Sequence, residues 1–127
     1  MGLGCDRGTP AATIAQAIAE ALAACGCAPA DVQAVASIDI KADEAGLAEV
    51  AAQCGWAIRY FAAAELAAVD VPNPSETVRK YTGTPSVSEA AALLAAGAGK
   101  RHLVIEKHKL RGPDGRNATV SIARIPQ

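Results

Sequence analysis

Ile14, Ile18 and Leu22 recur every four residues, flanked by Ala17, Ala21 and Cys25. That spacing is one apolar stripe of a helix, started by Thr9-Pro10 and stopped by Gly26. Residues 32–40 are apolar and β-branched enough for a strand, ending in Ser37-Ile38-Asp39-Ile40-Lys41. A second stripe, Leu47, Val50, Ala51 and Cys54, follows two acids, Asp43-Glu44, which suit the positive end of a helix dipole, and closes at Gly55. Residues 56–61 read as a third short strand and residues 62–68 as a short helix. Asn73 with Glu76 three positions on is a capping-box spacing, with Pro74 in the first turn. That helix should end near Gly83. Ser86 and Glu89 repeat the spacing and open a fifth helix that stops at Gly97. Residues 103–110 and 118–125 are strands joined by the turn Gly112-Pro113-Asp114-Gly115. At the other end, Met1-Gly2-Leu3-Gly4 is short for a first strand and feeds a glycine-rich loop.

Alternating strands and helices closed by a hairpin predict an α/β chain: a mixed, mainly parallel sheet of about five strands, helices on both sides, and a C-terminal antiparallel hairpin. At 127 residues the length suits a single domain over 1–127. Aromatics are only 3% of the chain, so the core must rest on Ala, Val, Ile and Leu. The longest apolar runs fall short of the roughly 18 residues a membrane span needs, and no secretory pattern opens the chain. A cytoplasmic location is expected. The net charge of −1 offers no field for nucleic acid or for an acidic membrane surface, so neither is an expected partner. An anionic ligand would have to be held by local charges.

The four cysteines, Cys5, Cys25, Cys27 and Cys54, lack the repeated two-residue spacer of a zinc site. His102 and His108 lie far from them in sequence. No metal and no cofactor are expected, and the thiols read as buried and inert.

In open parallel sheets, ligands sit beyond the carboxyl ends of the strands. The polar segments following the strands are Gly4-Cys5-Asp6-Arg7-Gly8-Thr9, Asp39-Ile40-Lys41-Ala42-Asp43-Glu44, Pro72-Asn73-Pro74-Ser75-Glu76 and Gly83-Thr84-Pro85-Ser86-Val87-Ser88-Glu89. Several lead into helix N-termini, whose free N–H groups favour anions. With Arg7 and Lys41 close by, that rim is a candidate pocket for carboxylates or phosphates. Its candidate ligand-binding residues are Gly4, Cys5, Arg7, Gly8, Lys41, Asp43, Glu44, Asn73, Ser75, Glu76, Gly83, Thr84, Ser86 and Ser88. Plainer readings stand beside this one. The loop from Gly2 to Gly8 is one residue too long for a dinucleotide fingerprint and serves equally as a tight turn. Glu76 and Glu89 are explained as capping acids, and the serines as caps. No histidine is placed to activate a serine. If the site is catalytic, Glu89 or Asp39 is the candidate general base, with Lys41 or Arg7 steadying negative charge.

The same segments, with Ala36-Ser37-Ile38-Asp39-Ile40-Lys41 and Val104-Ile105-Glu106-Lys107-His108-Lys109, resemble the family of the cobalamin-biosynthesis protein CobE and the C-terminal domain of CbiG. The likeness runs in order along nearly the whole chain, with the family's first strand clipped at the start. It implies a three-layer α/β/α fold and adds Ser37 and Lys107 to the ligand-binding candidates. It also implies binding of an anionic precorrin or corrinoid intermediate, as carrier or accessory factor near the ring-contraction and lactone-opening stage. The alternative it implies is an enzyme of that stage, a hydrolase resembling cobalt-precorrin-5A hydrolase that opens a lactone with loss of a two-carbon fragment. Other corrin-pathway enzymes are the expected protein partners.

Overall fold

Five strands form one sheet in the order β3-β2-β1-β5-β4: β1 Gly2–Cys5, β2 Val35–Ile38, β3 Ile58–Phe61, β4 Leu103–Arg111 and β5 Asn117–Ala123. The structure, a computed structural model, describes residues 1–126. β1, β2 and β3 are parallel, while β5 runs antiparallel to both β1 and β4. Four strands therefore point one way, and their carboxyl ends share an edge. Helices α1 (Ala11–Ala24) and α2 (Ala45–Cys54) cover one face. Helices α3 (Ala63–Ala67), α4 (Glu76–Thr82) and α5 (Val87–Ala96) cover the other. The result is the expected three-layer α/β/α arrangement with a mixed sheet.

Each face has its own core. The stripe Ile14, Ile18 and Leu22 packs with Leu3, Val35, Leu47, Val50 and Val120. Ile38, Phe61, Leu66 and Val87 pack with Ala36, Ala90 and Ala91 on the opposite face. Burying each large aliphatic side chain stabilises the fold by roughly 1.5–3 kcal/mol. The alanine-rich α5 lies close on the sheet, and Gly2 permits this. A Cβ at Gly2 would overlap the Ser88 carbonyl oxygen. Only glycine lets the helix backbone approach that near.

Several local expectations are corrected. The strand expected over residues 32–40 is limited to Val35–Ile38, because short 3₁₀ turns at Pro29–Asp31 and Asp39–Lys41 flank it. Pro10, not Thr9, holds the N-cap position of α1; the Thr9 hydroxyl donates to the Asp6 carbonyl at 2.7 Å instead. Ser75, not Asn73, caps α4, its Oγ accepting from the Val78 N–H at 3.2 Å. The thiols are not uniformly buried: Cys5, Cys25 and Cys27 are half-buried, and Cys54 is exposed.

The pairing of β4 with β5 slips twice, between Leu103 and Ile105 and again between Ile105 and His108. Such bulges reverse the alternation of side chains. Ile105 and Leu110, of opposite parity, therefore both pack toward the first core. His108 points the same way, its Nε2 lying 2.7 Å from Glu20 Oε1 of α1. Among the described residues no helix is long and apolar enough to cross a membrane.

Candidate functional site

At the shared carboxyl edge, a cleft of about 550 Å³ opens between the end of β1, the 3₁₀ turn after β2, helix α4, the start of α5 and the β4–β5 hairpin. It brings together six residues expected from the sequence: Gly4, Cys5, Arg7, Lys41, Ser88 and Lys107. Ile38, Val78 and Val87 supply an apolar wall. Sequence reasoning missed Lys109, Asp6, Asn117 and the α4 residues Thr77, Val78, Tyr81 and Thr82. Two signals pointed to them: Lys109 stands two positions from Lys107 on one strand, and Thr77, Val78 and Tyr81 have helical spacing toward one face.

Lys41, Lys107 and Lys109 have no carboxylate at ion-pair distance among the described residues. They are the unspent positive charge of the cleft. Arg7 differs. Its guanidinium donates to Asp43 Oδ1 at 2.7 Å and to the Ile40 carbonyl at 3.0 Å, and it stands 2.9 Å from Glu44 Oε1. The hydrogen bond to Arg7, and then its charge, hold the Asp43 carboxyl below its usual range. Glu44 is only 4% exposed and accepts the Gly8 N–H, so Gly8, Asp43 and Glu44 form an internal latch between two loops. Asp6 ties the other side, accepting from the Asn117 N–H at 2.7 Å and from its side-chain amide at 3.0 Å. Burial pushes the Cys5 thiol up to about 11, which leaves it un-ionised at neutral pH. Ser88 lies 2.9 Å from Ser121, whose hydroxyl donates to the Glu106 carbonyl at 2.6 Å.

The remaining sequence candidates support the cleft from outside. Ser37 is buried and donates to the Leu3 carbonyl at 2.7 Å, tying β2 to β1. Glu89 is fully buried. Its oxygens accept from Ser86 Oγ at 2.9 Å, from Asn73 Nδ2 at 2.7 Å and from the Asn73 N–H at 3.3 Å. Ser86 thus donates to the acid three residues on rather than forming the expected capping box. Asn73 also reaches Glu106, at 3.1 Å. Glu76 is exposed beside Arg79, and Gly83 ends α4 at a φ of +82°. The buried Thr84 hydroxyl has no partner. Asp39 is exposed on its turn and does not line the cleft. Among the described residues no group of three or more His, Cys, Asp or Glu is arranged to hold a metal ion. A second cavity of about 380 Å³, lined by Leu22, Cys25, Cys27, Val32, Ile122 and Arg124 among others, lies at the opposite edge and contains none of the sequence candidates.

Residues 1–123 match the family model described as cobalamin synthesis G C-terminus. A cobalt-precorrin-5A hydrolase of Priestia megaterium is 42% identical over 126 residues, covering 99% of this chain and 32% of the relative. A protein CobE of Sinorhizobium sp is 39% identical over 109 residues, covering 84% of this chain and 70% of the relative. The chain thus spans about a third of the hydrolase and most of the CobE. In three dimensions it is similar to the crystal structure of CobE, a protein from the cobalamin biosynthetic pathway, with a TM-score of 0.78 and 30% identity over 99% of this chain and 90% of that one. It is also similar to the cobalamin biosynthesis protein chiG of Agrobacterium tumefaciens, with a TM-score of 0.64 and 32% identity over 96% and 95% of the two chains. The family model spans nearly the entire fold, and this chain belongs to the CobE and CbiG C-terminal family of cobalamin-biosynthesis proteins.

Proposed function

We propose that this chain binds an anionic precorrin or corrinoid intermediate in the cleft at the carboxyl edge, acting as carrier or accessory factor near the ring-contraction and lactone-opening stage. The observation that carries the reading is the convergence of Lys41, Lys107 and Lys109, drawn from separate parts of the chain, on one pocket with an apolar wall. A precorrin carries acetate and propionate carboxylates around a broad apolar ring. Unpaired ammonium groups suit the carboxylates, and Ile38, Val78 and Val87 suit the ring. Val87 and Ser88, the first residues of α5, line the same space. Family membership supports the pathway.

The enzymatic alternative draws on the relatives named cobalt-precorrin-5A hydrolase. Its candidate base Glu89 has both oxygens occupied by Asn73 and Ser86, away from the cleft. That arrangement favours the binding role over proton abstraction by Glu89.

Titration with hydrogenobyrinic acid, followed by its visible absorption, tests the proposal. Saturable binding is expected in the micromolar range, weakening as salt rises. The double substitution Lys107→Gln with Lys109→Gln should raise Kd about fivefold or more, as expected for two partly exposed charge pairs. No binding by the native protein at tens of micromolar would overturn the reading.

A further inference from the structure

The cleft contains one large side chain that its charges do not explain. Tyr81 is 74% exposed, whereas Trp56 and Tyr60 are partly covered and Phe61 is buried. It stands on α4 with Thr77 four residues and Val78 three residues before it, so these side chains form one helix face. That face borders the cleft. The outer face carries Glu76 and Arg79, paired with each other in solvent at 3.5 Å. A short amphipathic helix normally turns its apolar side to the core, yet α4 contains no fully buried residue. Val78 rests half-buried against the second core, and Tyr81, one turn further on, is left at the open pocket.

The helix is nevertheless held firmly at both ends. The Ser75 N–H donates to the Pro85 carbonyl at 2.8 Å, closing the base of the α4 segment. Asn73 is pinned to Glu89, and the Thr82 hydroxyl donates to the Val78 or Thr84 carbonyl, at 2.7 and 2.9 Å. Tyr81 is thus an aromatic ring on a fixed mount, lining the same cavity as three lysines.

We propose that Tyr81 is the specificity-determining residue of the cleft, the ring against which the flat conjugated face of the ligand rests while the lysines hold its carboxylates. The inference rests on the corrinoid-binding reading above and adds the means of discrimination. Lysines alone accept any polyanion. An aromatic face adds affinity only for a ligand with an extended apolar or conjugated surface.

The test compares two probes, hydrogenobyrinic acid and the non-planar polyanion inositol hexakisphosphate, against the native protein, Tyr81→Ala and Tyr81→Phe. Circular dichroism should show all three equally folded, since Tyr81 has little packing to lose. Tyr81→Ala should weaken hydrogenobyrinic acid about tenfold, equivalent to about 1.4 kcal/mol, and leave inositol hexakisphosphate within twofold. It should also diminish the shift of the ring's visible bands on binding. Tyr81→Phe should restore both. If the native protein binds hydrogenobyrinic acid and Tyr81→Ala binds it equally well, the role given to Tyr81 is wrong and the binding reading stands. Equal loss for both probes would reduce Tyr81 to a structural part. Failure of the native protein to bind the ring acid removes both proposals together.

Discussion

Cys5 ends β1 on the wall of the cleft, and its chemistry is set by burial. A thiol pushed up to about 11 is a far poorer nucleophile at pH 8 than the exposed thiol of Cys54. Iodoacetamide followed by peptide mass spectrometry should therefore label Cys54 at least about tenfold faster than Cys5. Equal rates would mean that the end of β1 is more open than described. The same scale shows what a lone residue's identity conceals. Arg7 is a cation in a polar loop, and on sequence grounds it reads as a ligand for anions. Its partners Asp43 and Glu44 lie 36 and 37 positions away, and nothing local announces that its charge is already taken. Lys107 shows the reverse: on a hairpin strand, where lysines are commonly solvated surface charge, it is one of the uncompensated charges of the pocket.

Among the elements, the contact of α5 with β1 is the tightest test of the fold. The alanines Ala90, Ala91 and Ala92 are fully buried, and Gly2 has no room for a side chain beneath Ser88. Gly2→Ala should cost about 3 kcal/mol of unfolding free energy, measured as a fall in the urea midpoint, because helix or strand must move. Gly99→Ala is the control, with open space around it and an expected change near zero. Helix stops were legible: Gly55, Gly83 and Gly97 each end a helix in the left-handed conformation, as their positions after apolar stripes suggest. Helix starts were less so. Asn73-Pro74-Ser75-Glu76 contains two residues able to cap, and the choice of Ser75 follows from Asn73 being drawn to Glu89 across 16 positions. The spacing of Ser86 and Glu89 does bring the two together, but the buried carboxylate takes the Ser86 hydroxyl and the Asn73 amides of a neighbouring loop rather than the backbone N–H of its own helix cap.

For the whole molecule, the rim of the cleft is closed by ties between distant segments: Arg7 to Asp43, Asp6 to Asn117 and Asn73 to Glu89. The succession of strands and helices, the mainly parallel sheet covered on both sides and the closing hairpin followed from the periodicity of the chain. The ties did not, since they depend on segments meeting only after the sheet has formed. One has a pH signature. The Asp43 carboxyl titrates below its ordinary value of 3.8 because Arg7 holds it ionised. The unfolded chain binds that proton more readily, so the stabilisation is present above about pH 4 and is lost as acid takes the pH below that. The urea midpoint should fall between pH 5 and pH 3, and Arg7→Gln should make that fall shallower. An unchanged slope would remove the latch from the account.

The slipped pairing within β4 has a consequence for where charge can appear. With unbroken alternation, positions 107 and 109 would share a side with Ile105 and be directed at α1. One surplus residue on the outer strand turns both ammonium groups to the other side of the sheet. Without that slip the same sequence would keep every lysine and yet direct Lys107 and Lys109 at α1, leaving Lys41 alone of the three unpaired ammonium groups in the pocket.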